Sequence, residues 1–371
     1  MAAASFYMCT NGVAVVLPQI RADFFQSSLT AVQMMTMFPG IMTAVSFSMQ
    51  GQLLRHFSKK WLLITGLVLV GAAALGALLF HSQLWLLFLW NGLMGVGSGG
   101  LAAPVAALVL RDVSTGENYA ARMGLWNASL SLGGVVLGLC GGLAARYLSW
   151  PWAWAANLLA LPAAALCALW LPAAPPCPTA APTTSKVPGG AATKPLLFAF
   201  AFALLYFTVL PNLPLLIAES HFERFDAALL SGACIAALML GGLAMGVAYR
   251  RLPPPARRGG TTLGCLLLGS ACLLLAFCKQ NTVLLFAGAF LAGAANSLVV
   301  PTLSQMAAAQ GARFITLAST TCPALASFLS PSVFGALMKA GGFEDTAHRF
   351  ALAGVCSLLL AVPAWYGRAK K

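Results

Sequence analysis

The chain has 371 residues, of which only 8% are charged: 21 Lys and Arg against 8 Asp and Glu. A soluble chain of this length would carry roughly 90 such residues. With 60% apolar residues and a mean hydropathy of +0.86, this excludes a disordered chain, a nucleic-acid-binding domain and a water-soluble enzyme, and leaves a polytopic helical membrane protein. Outer-membrane barrels are excluded too, because the apolar stretches are continuous blocks of about 20 residues instead of alternating segments of about 10.

Twelve transmembrane spans are predicted: Ala4–Ile20, Leu29–Leu54, Trp61–Phe80, Leu84–Leu110, Met123–Ala145, Trp152–Leu171, Pro195–Ile217, Ala227–Tyr249, Thr262–Cys278, Thr282–Met306, Ile315–Leu337 and Phe350–Trp365. Each is near the length that crosses about 30 Å of hydrocarbon at 1.5 Å per residue. The first run begins almost at Met1. No basic segment precedes it, so it reads as the first helix and not as a signal peptide, and a short native leader is one reading of the abrupt start. A Pro-, Ala-, Thr- and Gly-rich stretch over 173–194 has no apolar face and reads as a flexible cytoplasmic linker. The expected organisation is therefore an N-terminal six-helix bundle (1–172), the linker, and a C-terminal six-helix bundle (195–371).

Charge placement sets orientation. With both termini cytoplasmic, Arg55, Lys59, Lys60, Arg111, Arg122, Lys186, Lys194, Arg250, Arg251, Arg257, Arg258, Arg313, Arg368, Lys370 and Lys371 fall inside. Arg21, Arg146, Arg224, Lys279, Lys339 and Arg349 fall outside. The acids split the other way: Asp112 and Glu117 inside, the other six outside. The whole formal charge of +13 then lies on the inner face, as the positive-inside rule requires, and it reports topology instead of a nucleic-acid partner. A bacterial inner membrane is the expected location, with the lipid bilayer as solvent and a monomer as the expected state.

The halves repeat weakly. Leu101 to Pro104 in the fourth span is echoed by Leu298 to Pro301 in the tenth, and the basic loop around Arg55 by the one around Arg250 and Arg251. Two parallel six-helix halves form one large transporter architecture. Four stretches carry a resemblance to a known family. Val13 to Ile20 is similar to a V-A-L-P-x-I ending of the first helix. Gly51 to Lys60 is similar to the loop pattern G-x-L-A-D-R-x-G-R-K. Asn91 to Gly97 is similar to R-x-x-Q-G-x-G, and Gly141 to Trp152 is similar to G-G-x-L-A-x-x-x-S-W-R-W. In this order the chain resembles the major facilitator superfamily, and within it the twelve-helix drug:proton antiporters. That resemblance implies an all-α fold of two pseudo-symmetric six-helix bundles. It also implies a cavity lined by helices 1, 2, 4, 5, 7, 8, 10 and 11. Several pattern residues differ: Arg55 stands at the loop aspartate, Ser58 at its glycine, Asn91 at the helix-four arginine and Cys9 at the acid of the first helix. Leu137 and Gly138 replace the Gly-Pro of helix five. Family-style coupling to a proton or other ion is therefore an open expectation.

No Asp, Glu, Lys, Arg or His is expected at the middle of any span, which argues against a central carboxylate relay and against a charged cargo. Asp23 and Glu219, at the ends of the first and seventh spans, read as solvated loop acids. The candidate substrate-binding residues are neutral: Asn11, Gln33, Met34, Phe38, Asn91, Asn127, Tyr206, Asn212 and Asn296. Carboxamides in hydrocarbon need partners and so face a bundle interior, either lining a path or joining helices, while a Met-rich stripe suits an apolar cargo. Gly51, Arg55, Lys59, Lys60, Arg250 and Arg251 are candidates for a conformational latch. Gly95, Gly97, Gly138, Gly141 and Gly142 are candidates for close helix packing. The ten cysteines contain no C-x-x-C and the four histidines are scattered, so no metal, cofactor or catalytic group is expected. The expected function is efflux of a small neutral or amphipathic compound by alternating access. The alternatives are an uncoupled facilitator, an importer of an uncharged nutrient, a non-transporting receptor or scaffold, and a membrane-embedded enzyme.

Overall fold

The computed structural model describes residues 5–112, 117–172, 193–220, 222, 225–253, 259–308, 321–343 and 345–369. Every element among them is helical. The chain divides into two compact units, Met1–Pro182 and Thr183–Lys371. The expected linker falls, apart from its last two residues, outside the described residues.

The first unit holds six helices. α1 runs in three pieces, Phe6–Met8, Asn11–Val15 and Leu17–Asp23. α2 is Leu29–His56 and α3 is Lys59–Leu79. α4 comprises Leu84–Gly95, a π-helical segment Val96–Ala102, and Ala103–Asp112. α5 is Glu117–Tyr147, and α6 opens as a 3-10 helix, Trp150–Leu159, before continuing as Ala160–Trp170. The second unit follows with α7 (Thr193–Tyr206 and Val209–Glu219), α8 (Ala227–Ala248), α9 (Gly260–Ala276), α10 (Thr282–Ala308), α11 (Cys322–Gly341) and α12 (Thr346–Ala369). Nine helices among the described residues are long and apolar enough to cross a bilayer, and α9 and α12 contribute shorter apolar segments. With the broken α1, these account for twelve spans. The start of the eleventh expected span, 315–320, lies outside the described residues.

Side-chain caps start several of these rods. Ser28 accepts from Ala31 N at 3.1 Å, Ser58 from Trp61 N at 3.4 Å, and Asp226 Oδ1 from Ala228 N and Leu229 N at 3.0 Å each. α11 ends on Gly342, whose φ of 70° is left-handed and free of penalty for a residue without Cβ. Exposed Trp61 and Phe80 bracket α3 about 28 Å apart along its axis, close to the hydrocarbon thickness.

Four spans expected as continuous rods are irregular, and prolines account for three of the irregularities. A proline ring clashes with the carbonyl four residues earlier and offers no N–H to it. Pro18 thus releases Ala14 near the break at Val16 in α1, Pro211 releases Phe207 at the break in α7, and Pro104 releases Gly100 inside the π segment of α4. α6 carries Pro151 in its first turn, but the ten-residue length of its 3-10 stretch has no local explanation in the sequence.

Packing repeats between the units. In the first, α2 pairs with α4, α3 with α4 and α6, and α1 with α5; in the second, α8 pairs with α10, α9 with α10 and α12, and α7 with α11. These pairings superpose when six is added to each helix number. At the α3–α4 crossing two glycines meet: a Cβ added to Gly66 would come within 2.6 Å of Gly97 O, and one added to Gly97 within 2.5 Å of Gly66 O. Only glycine permits that approach.

Candidate substrate-binding site

In the first unit the polar interior gathers where α1, α4 and α6 depart from α-helical geometry. Cys9 Sγ, in the break between the first two pieces of α1, donates to Ser98 Oγ in the π segment of α4 at 3.4 Å. Asn157 Nδ2, in the 3-10 stretch of α6, donates to Cys9 O at 3.2 Å. A carboxamide from a neighbouring helix thus takes up a carbonyl that a broken helix cannot satisfy alone. Asn11 is 2% exposed and Gln33, Asn91 and Asn157 are fully buried. Asn91 Nδ2 donates to Met35 Sδ at 2.7 Å, so one residue of the Met-rich stripe is bound into the polar interior. Met34 and Phe38 are half-buried, and Phe38 meets Phe88 edge-on at 5.5 Å. The side chain of Asn127 lies outside the described residues.

The second unit repeats the device. Asn212 Nδ2 donates to Thr208 O at 2.7 Å, at the break in α7. Beside it, Thr208 Oγ1 and Ser330 Oγ are 3.0 Å apart, and each reaches Leu204 O, at 3.1 and 2.9 Å. Arg349 is only 8% exposed and donates through a guanidinium nitrogen to Asn212 Oδ1 at 3.3 Å. Tyr206 is buried and stacks on Phe202, with ring centroids 6.4 Å apart. Asn296 is half-buried on α10.

Two acids depart from the sequence expectation. Glu219, at the end of α7, accepts from Thr346 N at 2.9 Å and Thr346 Oγ1 at 2.6 Å, and so caps the start of α12. Asp23, at the end of α1, accepts from the indole N–H of Trp150 at the start of α6. Trp150 itself lies against Phe24, His81 and Trp154. Neither acid is merely solvated: each ties the first helix of its unit to the sixth. The reason is the repeat, which brings the end of the first helix beside the start of the sixth in both units.

Among the latch residues, Lys59 Nζ pairs with Asp112 Oδ2 at 2.5 Å, joining the start of α3 to the end of α4. Gly51, Arg55 and Arg251 are exposed and Lys60 is half-buried, while the side chain of Arg250 lies outside the described residues. Of the packing glycines, Gly95, Gly97 and Gly141 each face backbone of another helix, Gly141 meeting Gly12 of α1, and Gly138 and Gly142 are buried. Residue patterns missed Asn157, Trp154, Ser98, Thr208, Ser330 and Arg349. Asn157 carried the same signal as Asn11, a carboxamide in an apolar run, but α6 stands outside the helices expected to line the path. Arg349 directly precedes the twelfth expected span and so falls among the external charges in the sequence reading.

The sequence profile of the Major Facilitator Superfamily matches residues 1–331. The chain belongs to the Major Facilitator Superfamily. As a superfamily member it is an integral membrane protein. It is similar to the multidrug transporter protein MdtP of Bacillus subtilis (strain 168), 26% identical over 158 residues, which are 42% of this chain and 28% of that relative. The match thus spans well under two thirds of the relative's length. The fold is similar to that of the crystal structure of an auto-inhibited POT family peptide transporter, with a TM-score of 0.75, 14% identity, and coverage of 99% of this chain and 95% of the other. Where the superfamily patterns place an acid and an arginine, this member has Cys9 and Asn91, and both make neutral contacts, with Ser98 and Met35.

Proposed function

We propose that this transporter exports a small neutral or amphipathic organic compound by alternating access. A first-unit interior that is polar and, among the described residues, uncharged carries the reading: Asn11, Gln33, Asn91 and Asn157 are all buried there. In the second unit the one buried charged residue among those described, Arg349, lies in the field of the Glu219 carboxylate. Such surroundings favour hydrogen-bonding neutral cargo over ions, whose desolvation they would not offset. Export rests on the partial likeness to MdtP and on the drug:proton antiporter patterns. In this reading the termini are cytoplasmic, the protein lies in a bacterial inner membrane, and Lys59–Asp112 acts as part of the latch. Proteoliposomes loaded with lipophilic drugs provide the test. Asn11→Ala and Tyr206→Ala should slow flux while leaving the fold intact, and unchanged flux in both removes them from the site.

One observation favours a second reading, an uncoupled facilitator. Cys9 and Asn91 stand where relatives carry coupling residues, and their hydrogen bonds involve no titrating partner. A pH jump across the vesicle membrane separates the readings: flux that ignores the gradient belongs to the facilitator.

A further inference from the structure

Three irregular segments meet at one place in the first unit. The break of α1 at Cys9 contacts the π segment of α4 through Ser98 and the 3-10 stretch of α6 through Asn157. Cys9 lies about 14 residues along the chain from Asp23 and Ser98 about 14 from Leu84, so both stand roughly 21 Å in from the end where α1 finishes and α4 begins. π segments and mid-helix 3-10 stretches recur at functional sites, and broken membrane helices mark binding sites.

Around this junction three buried polar atoms make no hydrogen bond among the described residues: Asn11 Nδ2, Trp154 Nε1 and Asn157 Oδ1. Their side chains are 2%, 0% and 0% exposed. Trp154 and Asn157 are three residues apart on a 3-10 helix, where side chains at that spacing eclipse and share one face. α1 lies close against that helix, because a Cβ on Gly12, next to Asn11, would come within 3.1 Å of Ala153 O. Buried polar atoms in native proteins are almost always paired, and three unpaired ones on two closely packed helices call for a partner.

We infer that Asn11, Trp154 and Asn157 form a buried site for one uncharged polar group of the cargo, an amide or a hydroxyl. The inference rests on the proposed transport of neutral compounds and adds α6 to the helices that contact cargo. Two donors and one acceptor match a group that both accepts and donates. A metal cation would need acceptors throughout, and an anion would need donors throughout. Asn157 has two functions here: its Nδ2 holds the break in α1 and its Oδ1 faces the ligand. A single water can also accept and donate here, as an alcohol can, and the test separates the two.

The test titrates purified protein in detergent with neutral amides and alcohols, chloramphenicol among them, while the melting temperature is followed. Dose-dependent stabilisation is expected, with its midpoint raised at least about tenfold in Trp154→Phe and in the near-isosteric Asn11→Leu. A hydrocarbon of similar size, 1-methylnaphthalene, should stabilise wild type and variants alike. Should Asn11→Leu fail to fold, Trp154→Phe, which removes the indole N–H and retains an aromatic ring, carries the comparison. If the amides and alcohols leave the melting temperature unchanged, or act on the wild type and Trp154→Phe at the same midpoint, the site holds water only and the inference fails. Stabilisation without flux in proteoliposomes refutes the transport reading and leaves the site standing. Flux with an unaltered KM in Trp154→Phe refutes the site and leaves transport standing.

Discussion

The α3–α4 crossing permits a quantitative test. In Gly66→Ala the new methyl carbon would come within 2.6 Å of Gly97 O and 2.7 Å of Ala102 N, where ordinary contact begins at 3.4 Å. The shortfall is about 0.8 Å, and both obstacles are backbone, so no side chain can rotate away. The helices must move apart by nearly that distance, and a gap of this size forfeits about a quarter to a half of the dispersion energy along the seam. Overpacking of this kind costs about 1–3 kcal/mol, and the rigid obstacles place Gly66→Ala at the upper end. For a unit of this size the melting temperature should fall by roughly 5–10 °C. Gly97→Ala should do the same, and the double variant should lose less than the two single losses combined, because one displacement relieves both clashes. Gly51→Ala is the control: nothing lies within 4 Å of its added Cβ, and alanine in an exposed helix should leave stability equal or raise it by about 1 kcal/mol. Thermal unfolding in detergent measures all four. A Gly66→Ala protein that melts with the wild type, or full additivity in the pair, would refute the close approach.

The remaining predictions concern the ties and breaks. Trp150→Phe and Thr346→Val remove donors to Asp23 and Glu219, and each should lower stability by about 1 kcal/mol, since these bonds to carboxylates are partly solvated; urea unfolding of each variant beside the wild type measures the loss, and an unchanged midpoint would show that the tie contributes nothing. Asp112→Asn should cost less than about 1 kcal/mol, because the pair with Lys59 is solvent-exposed; if it acts as a latch, flux should change while the melting temperature does not. Pro211→Ala restores an N–H to the α7 break and should keep or raise the melting temperature while slowing transport. Equal transport in that variant would show that the break has no part in the cycle.

The twelve spans were legible because bilayer thickness fixes rod length and because ionic groups avoid hydrocarbon. Asn11, Gln33 and Asn91 were legible for a related reason, since a carboxamide within an apolar run must turn toward protein. The sequence also carried the prolines that break α1 and α7 and shift α4. It did not carry which carboxamide would meet which freed carbonyl. Asn157 reaches Cys9 across 148 positions, a pairing fixed by tertiary packing and not by local pattern. Gly97 was recognisable within its small-residue run, whereas its partner Gly66 sits in an otherwise bulky apolar stretch and gave no signal. Glu219 looked like a loop acid because composition reports exposure on average, and the repeat that places it over Thr346 is visible only in three dimensions.

The two acid ties have a mechanical consequence. Each fastens the tip of a unit's opening helix, and each of those helices is interrupted partway along. The segment between tie and interruption is anchored, and the interruption becomes an elbow for the segment beyond it. Hydrogen exchange should therefore run slow from Leu17 to Asp23 and from Val209 to Glu219, and faster across the joints at Val16 and Phe207, so that each unit bends from a fixed shoulder.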